Sequence, residues 1–471
     1  NIYRYLKPFV LIYSCDLYLL TKGGIIIPNI DFIIALFNVK PDDVEAFSSF
    51  ISNNTIQYHI TLRISKYECS LCGGKCISHG KKLKIIHHPN IIDFDGFIYY
   101  YARRYICKDC KHTFFETNPF TFTSFKNSYA IINRVMKQLS NLDLTFSRIA
   151  KLNHISTTTV QLYLDSYVSL VKPTLPESIG IDELYSKKMS ANNSSYLCIL
   201  VDNVRRYPFD ILNSRSKKTL QNYFSSYSKK ERDNVRFITI DMWLPYKDVA
   251  LTYFKNCKIA VDPFHVIKNI SDAFSKIRIS LMKKMPYDSD AYYLLKKWHK
   301  LIDSPNYILD NTPKYNHRFK RKLNYRNLYN MILEISDYLK LAHELKMSYH
   351  LFNERADTEN CEAWLDSIID KFSKSNIEEY YECTQTLMNW RQEIINSFQR
   401  DYNERKQSNA MAENINSQIR AYLGLVRGTV NFVRFKKRVL LALNKKVFYS
   451  ISERLESDKR HQQSRGSYTK K

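Results

Sequence analysis

Between residues 175 and 281, short apolar runs alternate with polar stretches that have helical spacing, and this alternation is typical of an α/β domain. Several apolar runs have the length of β-strands, at residues 178–184, 196–201, 207–212, 235–241 and 258–262. Polar, helix-like stretches separate the later runs, at residues 218–228 and 246–254. We therefore predict a sheet in which helices join the third strand to the fourth and the fourth to the fifth.

Three of the predicted strands carry an acidic residue. Asp182 lies within the first strand, Asp241 ends the fourth and Asp262 ends the fifth. Three strands, a helix and a fourth strand follow one another in the ribonuclease H-like fold, which places the first and fourth strands side by side. Asp182 and Asp241 would then repel each other unless a cation lay between them, and Mg²⁺ accepts such oxygen ligands. Asp262 is the alternative to Asp241, although the strand count favours Asp241.

A third acid is expected from a later helix, and residues 409–420 offer one. Glu413 shares a polar face of this helix with Asn409 and Asn416, apart from an apolar stripe. Glu413 can therefore reach into a cleft while its helix stays packed. The same spacing also fits an ordinary solvated helix face, so this segment alone does not decide between the two.

The charge of the chain points to a polyanionic partner. The 71 Lys and Arg residues against 46 Asp and Glu residues give a formal net charge of +25, and nucleic acid is the commonest partner of so basic a protein. A scattered, solvated basic surface is the alternative. No stretch reads as a membrane span or an export signal. We therefore expect a cytoplasmic protein whose 10 cysteines form no disulfide framework.

Two cysteine pairs of the form Cys-x-x-Cys are separated by about one β-hairpin. They are Cys69 with Cys72 and Cys107 with Cys110. Thiolates at this spacing can wrap a tetrahedral Zn²⁺, and the ion then replaces the core that a small module cannot build. Reduced cysteines without a metal are the alternative. Three other side chains could take the place of a ligand: Cys76, His79 and His112.

Two segments carry candidate DNA contacts. Between the cysteine pairs, basic and aromatic residues that include Arg103 and Arg104 suit a zinc ribbon lying against nucleic acid. Residues 146–164 have the spacing of a helix-turn-helix, in which Ser156 or Thr157 caps the second helix. An ordinary helical hairpin shares this spacing. Four side chains of the second helix would be free to enter a major groove: Thr157, Thr158, Thr159 and Gln161.

The sequence resembles the ISL3 family of bacterial insertion-sequence transposases, within the wider DDE group, over nearly the whole chain. The order of cysteine pairs, helix-turn-helix and acidic α/β segment is that of the family. The stretches that carry the resemblance are Gly180-Ile-Asp-Glu183, Asp241-Met-Trp-Leu-Pro-Tyr246, Asp262-Pro-Phe-His265-Val266, and Ala412-Glu-Asn414 leading into Arg427-Gly-Thr-Val-Asn431-Phe432.

The resemblance implies that Asp182, Asp241 and Glu413 bind two Mg²⁺ or Mn²⁺ ions. Three neighbours are implied to lie near the site: Asp262, His265 and Asn414. The implied function is binding of terminal inverted repeats, followed by metal-dependent cleavage and strand transfer of double-stranded DNA. The protein would act on the bacterial nucleoid as a homodimer or a larger assembly. A non-catalytic DNA-binding regulator and an inactive domesticated transposase are the alternatives.

We therefore predict a multidomain α/β plus α protein. Its ribonuclease H-like core is interrupted by an all-helical insertion, as the resemblance implies, and is preceded by a zinc ribbon and a helix-turn-helix. The predicted parts are an N-terminal segment (1–60), a zinc-ribbon-like domain (61–120), a helix-turn-helix domain (125–172), the first part of the core (175–281), the helical insertion (282–405), the last helices of the core (406–450) and a basic tail (451–471).

Overall fold

The computed structural model describes residues 37, 39–65, 67–91, 94–122, 126–186, 195–303, 309–400, 405–426 and 431–451. The chain forms two compact units. Unit 1 comprises residues 1–170, 424–427 and 433–471, and unit 2 comprises residues 171–423 and 428–432. Most of the predicted N-terminal segment and nearly all of the predicted basic tail lie outside the described residues. Within the described ranges, no helix is both long enough and apolar enough to cross a membrane.

Unit 1 begins with a five-stranded sheet. Its strands are β1 (Val44–Ser52), β2 (Thr55–Leu62), β3 (Cys76–Ile91), β4 (Phe94–Cys107) and β5 (Thr113–Phe115). The order is β1-β2-β4-β3 with β5 on β4, and every pair is antiparallel except β2 with β4. Every second residue of β2 is buried, as expected for a sheet with one covered face. Because β2 pairs with β4, the sheet crosses the boundary predicted at residue 60.

Three helices follow in unit 1. They are α1 (Tyr129–Leu139), α2 (Phe146–Leu152) and α3 (Thr157–Tyr167). Each begins after a hydroxyl residue whose side chain accepts the backbone N–H three residues on, namely Ser128, Thr145 and Ser156. His154, with a φ of +50°, stands in the turn between α2 and α3. The apolar faces of the three helices form one core that includes Ile132, Val135, Ile149 and Leu164.

Unit 2 contains a second five-stranded sheet. Its strands are β6 (Ser178–Tyr185), β7 (Tyr196–Asp202), β8 (Tyr207–Leu212), β9 (Phe237–Ile240) and β10 (Lys258–Val261), in the order β10-β9-β6-β7-β8. β7 is antiparallel to both β6 and β8, whereas β9 is parallel to both β6 and β10. The connecting helices are α4 (Lys217–Ser225), α5 (Lys229–Asp233) and α6 (Leu244–Tyr253). β8 is buried along its whole length, because both faces of the sheet are covered.

A mainly helical region follows β10. Its helices are α7 (Pro263–Lys284), α8 (Asp290–Lys297), α9 (Lys300–Asp303), α10 (Tyr325–Leu333), α11 (Asp337–Arg355), α12 (Cys361–Lys374), α13 (Tyr381–Asn389), α14 (Arg391–Asn396) and α15 (Ala410–Leu425). The predicted insertion is not all-helical, because β11 (Lys314–Asn316) pairs with β12 (Arg321–Leu323). The Oδ1 atom of Asn316 accepts the backbone N–H of Arg318 at 3.0 Å and so favours a turn at this point.

The helical region and the sheet of unit 2 share one hydrophobic core. Ile238 of β9 belongs to the same buried cluster as Phe274 of α7 and Phe352 of α11. Asn396 of α14 also donates from Nδ2 to the carbonyl of Ile259 in β10, at 2.8 Å. The segment predicted as an insertion is therefore an integral part of the core of unit 2.

The last described helix, α16 (Phe432–Leu443), packs in unit 1 from residue 433 onward. Leu441 belongs to the core of α1–α3. The buried guanidinium group of Arg438 donates to three backbone carbonyls, those of Gln138, Asn141 and Leu144. This differs from the prediction that residues 406–450 complete the core of the α/β domain. An amphipathic sequence marks the buried face of a helix but does not say which core it covers.

A buried lysine in α11 gives a testable prediction about stability. Lys346 is fully buried, and its ammonium group donates to the carbonyls of Ile302, at 3.0 Å, and Asp303. Burial lowers the pKa of Lys346 from 10.5 to about 8. Between these two values the unfolded chain holds the proton more tightly than the folded chain does, so the free energy of unfolding should rise with pH. The rise due to this group should be about 1–2 kcal/mol between about pH 7.5 and pH 9.5.

Urea unfolding of the wild type and of Lys346→Met over this pH range measures the effect, since the substitution removes that part of the rise. Lys340→Met is the matched control, because Lys340 is an exposed lysine of the same helix. The free energies of unfolding of the control and the wild type should differ by the same amount at every pH. If the free energies of unfolding of Lys346→Met and the wild type also differ by the same amount at every pH, the role given to Lys346 is contradicted.

Candidate functional site

Asp182 and Asp241 lie on neighbouring parallel strands of unit 2. The last residues that pair between β6 and β9 are Gly180 and Thr239, and each acid stands two residues further on. Asp182 is only 8% exposed, and Asp241 is partly buried. The strand order therefore brings these two acids to the same end of the sheet.

Both carboxylates lie in surroundings that favour their protonated forms. Burial raises the pKa of Asp182 to about 6, and the charge of Asp241 adds to this. Burial likewise raises the pKa of Asp241 to about 6, with a contribution from the charge of Glu183. A cation beside these carboxylates would oppose both effects, because it stabilises their ionised forms.

Two buried asparagines, Asn409 just before α15 and Asn416 within it, hold the strand that carries Asp182. The Nδ2 group of Asn416 donates to Oδ2 of Asp182 at 2.7 Å and to the carbonyl of Glu183 at 3.1 Å. The Nδ2 group of Asn409 donates to the carbonyl of Ile181 at 2.9 Å. Both asparagine side chains are fully buried, so these hydrogen bonds are shielded from water and tie β6 to α15.

Glu413 joins Asp262 and His265 in one cluster. One ligand atom of each residue lies within 4.8 Å of the other two. Asp262 follows β10 and caps α7 by accepting the backbone N–H of Phe264 at 3.3 Å, and His265 lies in the first turn of that helix. Among the described residues, Asp182, Asp241 and Glu413 do not form a group whose ligand atoms are all so close.

His265 links the two sets of acids electrostatically. A positive charge on its imidazole lowers the pKa of Asp182 and Asp241 and also that of Asp262 and Glu413. Burial has the larger effect in each case and raises the pKa of all four carboxyl groups. His265 is therefore close enough to all four acids for its charge to act on each of them, and it is within 4.8 Å of Asp262 and Glu413.

Arg215 is a residue near the site that was not predicted from the sequence. Its guanidinium group pairs with the carboxylate of Glu183 and lies over the rings of Tyr196, at 4.1 Å, and Trp243, at 4.6 Å. The charge of Arg215 also lowers the pKa of Asp241. No spacing in the sequence connects Arg215 with these residues, because the fold alone brings them together.

The predicted polar face of α15 contains both buried and exposed residues. Asn409 and Asn416 are buried and contact β6, as described above, whereas Ser417 and Arg420 of the same face are exposed. Asn414, which was predicted to lie near the site, is exposed, and its Oδ1 accepts from Gln418 at 2.6 Å. The spacing of Asn409, Glu413 and Asn416 places them along one side of the helix. That spacing was the only sequence signal for the two asparagines, and it does not distinguish a support for the site from a solvated face.

The four paired cysteines of unit 1 come together, with all Sγ atoms within 4.8 Å of one another. The distance is 3.5 Å both between Cys69 and Cys110 and between Cys72 and Cys107. Four thiolates at about 2.3 Å from a Zn²⁺ ion would lie about 3.8 Å apart, so the cluster has the dimensions of a tetrahedral zinc site. Cys76 is outside this group, and its thiol donates to the carbonyl of Gly74 at 3.7 Å.

The two cysteine pairs make the same kind of turn. The N–H of Cys69 donates to the carbonyl of Gly74, and the N–H of Cys107 donates to the carbonyl of His112. The residue after each pair has a positive φ, +70° at Gly73 and +60° at Lys111. Glycine adopts this conformation without steric cost. The backbone thus presents both pairs in matching geometry, which suits one ion held between two turns.

Of the two arginines predicted to contact DNA, only Arg104 is exposed. Arg103 is 2% exposed and pairs with Glu45 at 2.6 Å and with Glu116 at 3.4 Å. A buried guanidinium with two carboxylate partners is not available to a phosphate, so the structure corrects the prediction for Arg103. Successive residues of a strand point to opposite faces. Arg104 accordingly points outward and donates to Thr113 at 2.9 Å.

The four side chains predicted to enter a major groove differ in exposure. Thr157 and Thr158 are exposed, and the hydroxyl of the partly buried Thr159 lies 2.8 Å from that of Ser156. The Oε1 atom of Gln161 accepts from Arg434 of α16 at 3.1 Å. Of the four predicted side chains, the exposed ones are therefore Thr157 and Thr158, in the first turn of α3.

Comparison with protein families gives a match that spans the acidic site. The model of the family DDE_Tnp_ISL3, described as Transposase, matches residues 179–439. This is more than half of the 471 residues, and it includes Asp182, Asp241, Asp262 and Glu413. No curated protein matches the chain.

Proposed function

The chain belongs to the ISL3 family of DDE transposases, which are DNA-cleaving enzymes, and we propose that it cleaves DNA at the terminal inverted repeats of an insertion sequence and transfers the cut strands to a target. Asp182, Asp241 and Glu413 are the acids assigned to this chemistry. The observation that carries the proposal is the parallel pairing of β6 with β9, which brings the buried Asp182 and the partly buried Asp241 to the same end of the sheet.

The strand order supports a ribonuclease H-like core in unit 2. β6 is the central strand, with the antiparallel pair β7 and β8 on one side and the parallel strands β9 and β10 on the other. Ligands of open α/β sheets bind beyond the carboxyl ends of the parallel strands. Asp182, Asp241 and Asp262 all stand toward that end of their strands, as a substrate site there requires.

The acids fit a site for divalent cations. Burial raises the pKa values of Asp182 and Asp241, a bound cation would offset this cost, and carboxylate oxygens are the ligands that Mg²⁺ and Mn²⁺ prefer. Together with Glu413 they would hold two ions. Such ions, when bound, lower the pKa of an attacking water or 3′-hydroxyl and neutralise charge on the phosphodiester.

Side chains of the chain itself position these acids. Asn416 orients the carboxylate of Asp182, and Asn409 fixes β6 against the helix that carries Glu413. Arg215 pairs with Glu183 and carries a positive charge that acts on Asp241, where it would suit a phosphate of the bound strand. Catalysis in such a site consists mainly of positioning and charge neutralisation.

DNA recognition is assigned to unit 1. The four clustered cysteines would hold a structural Zn²⁺, and α2 and α3 would form a helix-turn-helix. Thr157 and Thr158, at the start of α3, would contact base edges or phosphates, and Arg104 would contact a phosphate. Because Lys and Arg residues release counterions from DNA, binding should weaken steeply as salt is raised.

A cleavage assay on DNA that carries the terminal inverted repeats tests the proposed function. The full chain should nick the repeat ends when Mg²⁺ or Mn²⁺ is added and should only bind them when both are omitted. DNA of the same length without the repeats is the control substrate. Binding to the repeats without metal-dependent nicking would contradict the proposal and support a non-catalytic regulator or an inactive transposase.

A further inference from the structure

The cluster of Asp262, His265 and Glu413 combines two carboxylates with one imidazole. Asp262 comes from the end of β10, His265 from the start of α7 and Glu413 from the first turn of α15. One ligand atom from each residue lies within 4.8 Å of the other two. Three separate pieces of secondary structure thus converge on a space of the size that one metal ion occupies.

A second observation is independent of this convergence. Asp262 is 2% exposed, and its Oδ2 atom is buried without a hydrogen-bond partner among the described residues. Its other oxygen is engaged by the N–H of Phe264. A buried carboxylate oxygen without a partner is costly, and buried charges in proteins are normally paired or bound to a metal. The Oδ2 atom of Asp262 is therefore available to bind a cation.

The donor set indicates which ion would fit. Mg²⁺ prefers oxygen ligands only, whereas an imidazole nitrogen suits first-row transition ions such as Mn²⁺, Fe²⁺ and Zn²⁺. A set of one nitrogen and two carboxylates therefore discriminates against Mg²⁺ more than the purely carboxylate pair of Asp182 and Asp241 does.

From this geometry we infer that Asp262, His265 and Glu413 form a binding site for one divalent transition-metal ion, with the imidazole of His265 as a direct ligand. The inference rests on the proposed function, because Glu413, one of the three acids assigned to catalysis, would be a ligand of this ion. Asp182 and Asp241 would lie beside it. His265 and Asp262 become metal ligands of the site and not only its neighbours. The enzyme would accordingly be better supported by Mn²⁺ than by Mg²⁺.

Pulsed electron paramagnetic resonance with Mn²⁺ as the probe tests this assignment directly. The full chain, with its cysteine cluster loaded with zinc, is titrated with Mn²⁺, and the coupling of ¹⁴N nuclei to the bound ion is recorded. The wild type should show imidazole coupling. His265→Ala should lose that coupling and bind one Mn²⁺ ion at least about tenfold more weakly.

Three further variants make the result specific. His265→Gln keeps the size of the side chain and should also lose the imidazole coupling, which guards against a folding defect in His265→Ala. His317→Ala is the matched control, because His317 is an exposed histidine of the same unit, and it should keep the coupling. Asp182→Asn should also keep it, since Asp182 is outside this cluster.

Absence of ¹⁴N coupling in the Mn²⁺-loaded wild type would overturn the inference, as would coupling that survives in His265→Ala. Either result would mean that His265 serves only as a positive charge beside the acids. The proposed function fails separately, if Asp182→Asn still cleaves repeat-end DNA. The two failures are therefore distinguishable, because one is read from the bound metal and the other from the DNA.

Discussion

Replacing Asp182 by Asn should lower metal-dependent DNA cleavage by at least about a thousandfold while it stabilises the metal-free protein. The loss of cleavage follows because Asp182 is proposed to bind a catalytic cation, and the amide has no negative charge to offer. The side chain keeps its shape, so the hydrogen bond with Asn416 at 2.7 Å can be retained through the amide oxygen. Binding to repeat-end DNA should persist, since it is assigned to unit 1.

The gain in stability follows from the pKa of Asp182. Burial raises this pKa from 3.8 to about 6, so between these values the folded chain takes up a proton that the unfolded chain does not. The free energy of unfolding of the metal-free wild type is therefore lowered as pH rises through this window, and the cost remains at pH 7. Asp182→Asn should remove it and raise the free energy of unfolding by about 1–3 kcal/mol at pH 7.

Thermal unfolding in the absence of divalent ions and a nicking assay in their presence measure the two effects. Asp202→Asn is the control, because Asp202 is a buried aspartate of the neighbouring strand β7 whose Oδ1 atom accepts the backbone N–H groups of Val204 and Arg205. It should retain cleavage and gain no stability. An Asp182→Asn protein that still cleaves would contradict the role of this acid.

Replacing Cys107 by Ser should remove one zinc ion per chain and unfold the strands around the cysteine cluster. Cys107 ends β4 and lies 3.5 Å from Cys72 across the cluster. Structural zinc contributes on the order of 10 kcal/mol in small metal-dependent domains, which is comparable with the whole free energy of unfolding of a typical domain. Binding to repeat-end DNA should therefore fall by at least about a hundredfold, because the ribbon no longer presents its contacts.

Metal analysis of the purified protein and a DNA-binding titration measure this prediction. Cys76→Ser is the matched control, since Cys76 lies in the neighbouring strand β3 but outside the cluster. It should keep one zinc ion and bind DNA as the wild type does. Unchanged zinc content in Cys107→Ser, or no zinc in the wild type, would contradict the assignment of the cysteines.

The strands of unit 2 could be predicted closely because they are apolar along their length. β8 covers residues 207–212, as predicted, and β6 covers 178–185 against a predicted 178–184. Strands covered on both faces have no polar face to confuse with a helix. The acids at their ends were visible for the same reason, since Asp182, Asp241 and Asp262 interrupt or terminate apolar runs.

The neighbours of each acid could not be predicted from the sequence. Glu413 was expected to join Asp182 and Asp241, and its ligand atom lies within 4.8 Å of those of Asp262 and His265. Helical periodicity shows which face of α15 is polar but not how far the helix is shifted along the sheet. That shift is set by hydrogen bonds such as the one from Asn409 to Ile181, 228 residues earlier in the chain.

Charge alone was a poor guide to DNA contacts. Arg103 and Arg104 are residues of the same type and adjacent in sequence. Arg103 is nevertheless buried and paired with two glutamates, whereas Arg104 is exposed. The alternation of a strand predicts that they face opposite ways but not which of them faces the core. The same limit applies to Arg438 of α16, whose buried guanidinium satisfies backbone carbonyls.

The hydrogen bonds from Asn409 and Asn416 to β6 also have a consequence for the order in which the proposed site is assembled during synthesis. During synthesis the ribosome releases Asp182 and Asp241 long before it reaches Asn409, Glu413 and Asn416. A growing or prematurely ended chain thus has the first two acids without the third and without the amides that steady them. The proposed catalytic site can therefore be completed only after residue 416 has been synthesised, so a translation product that ends before residue 409 lacks the proposed third acid and both of these amides.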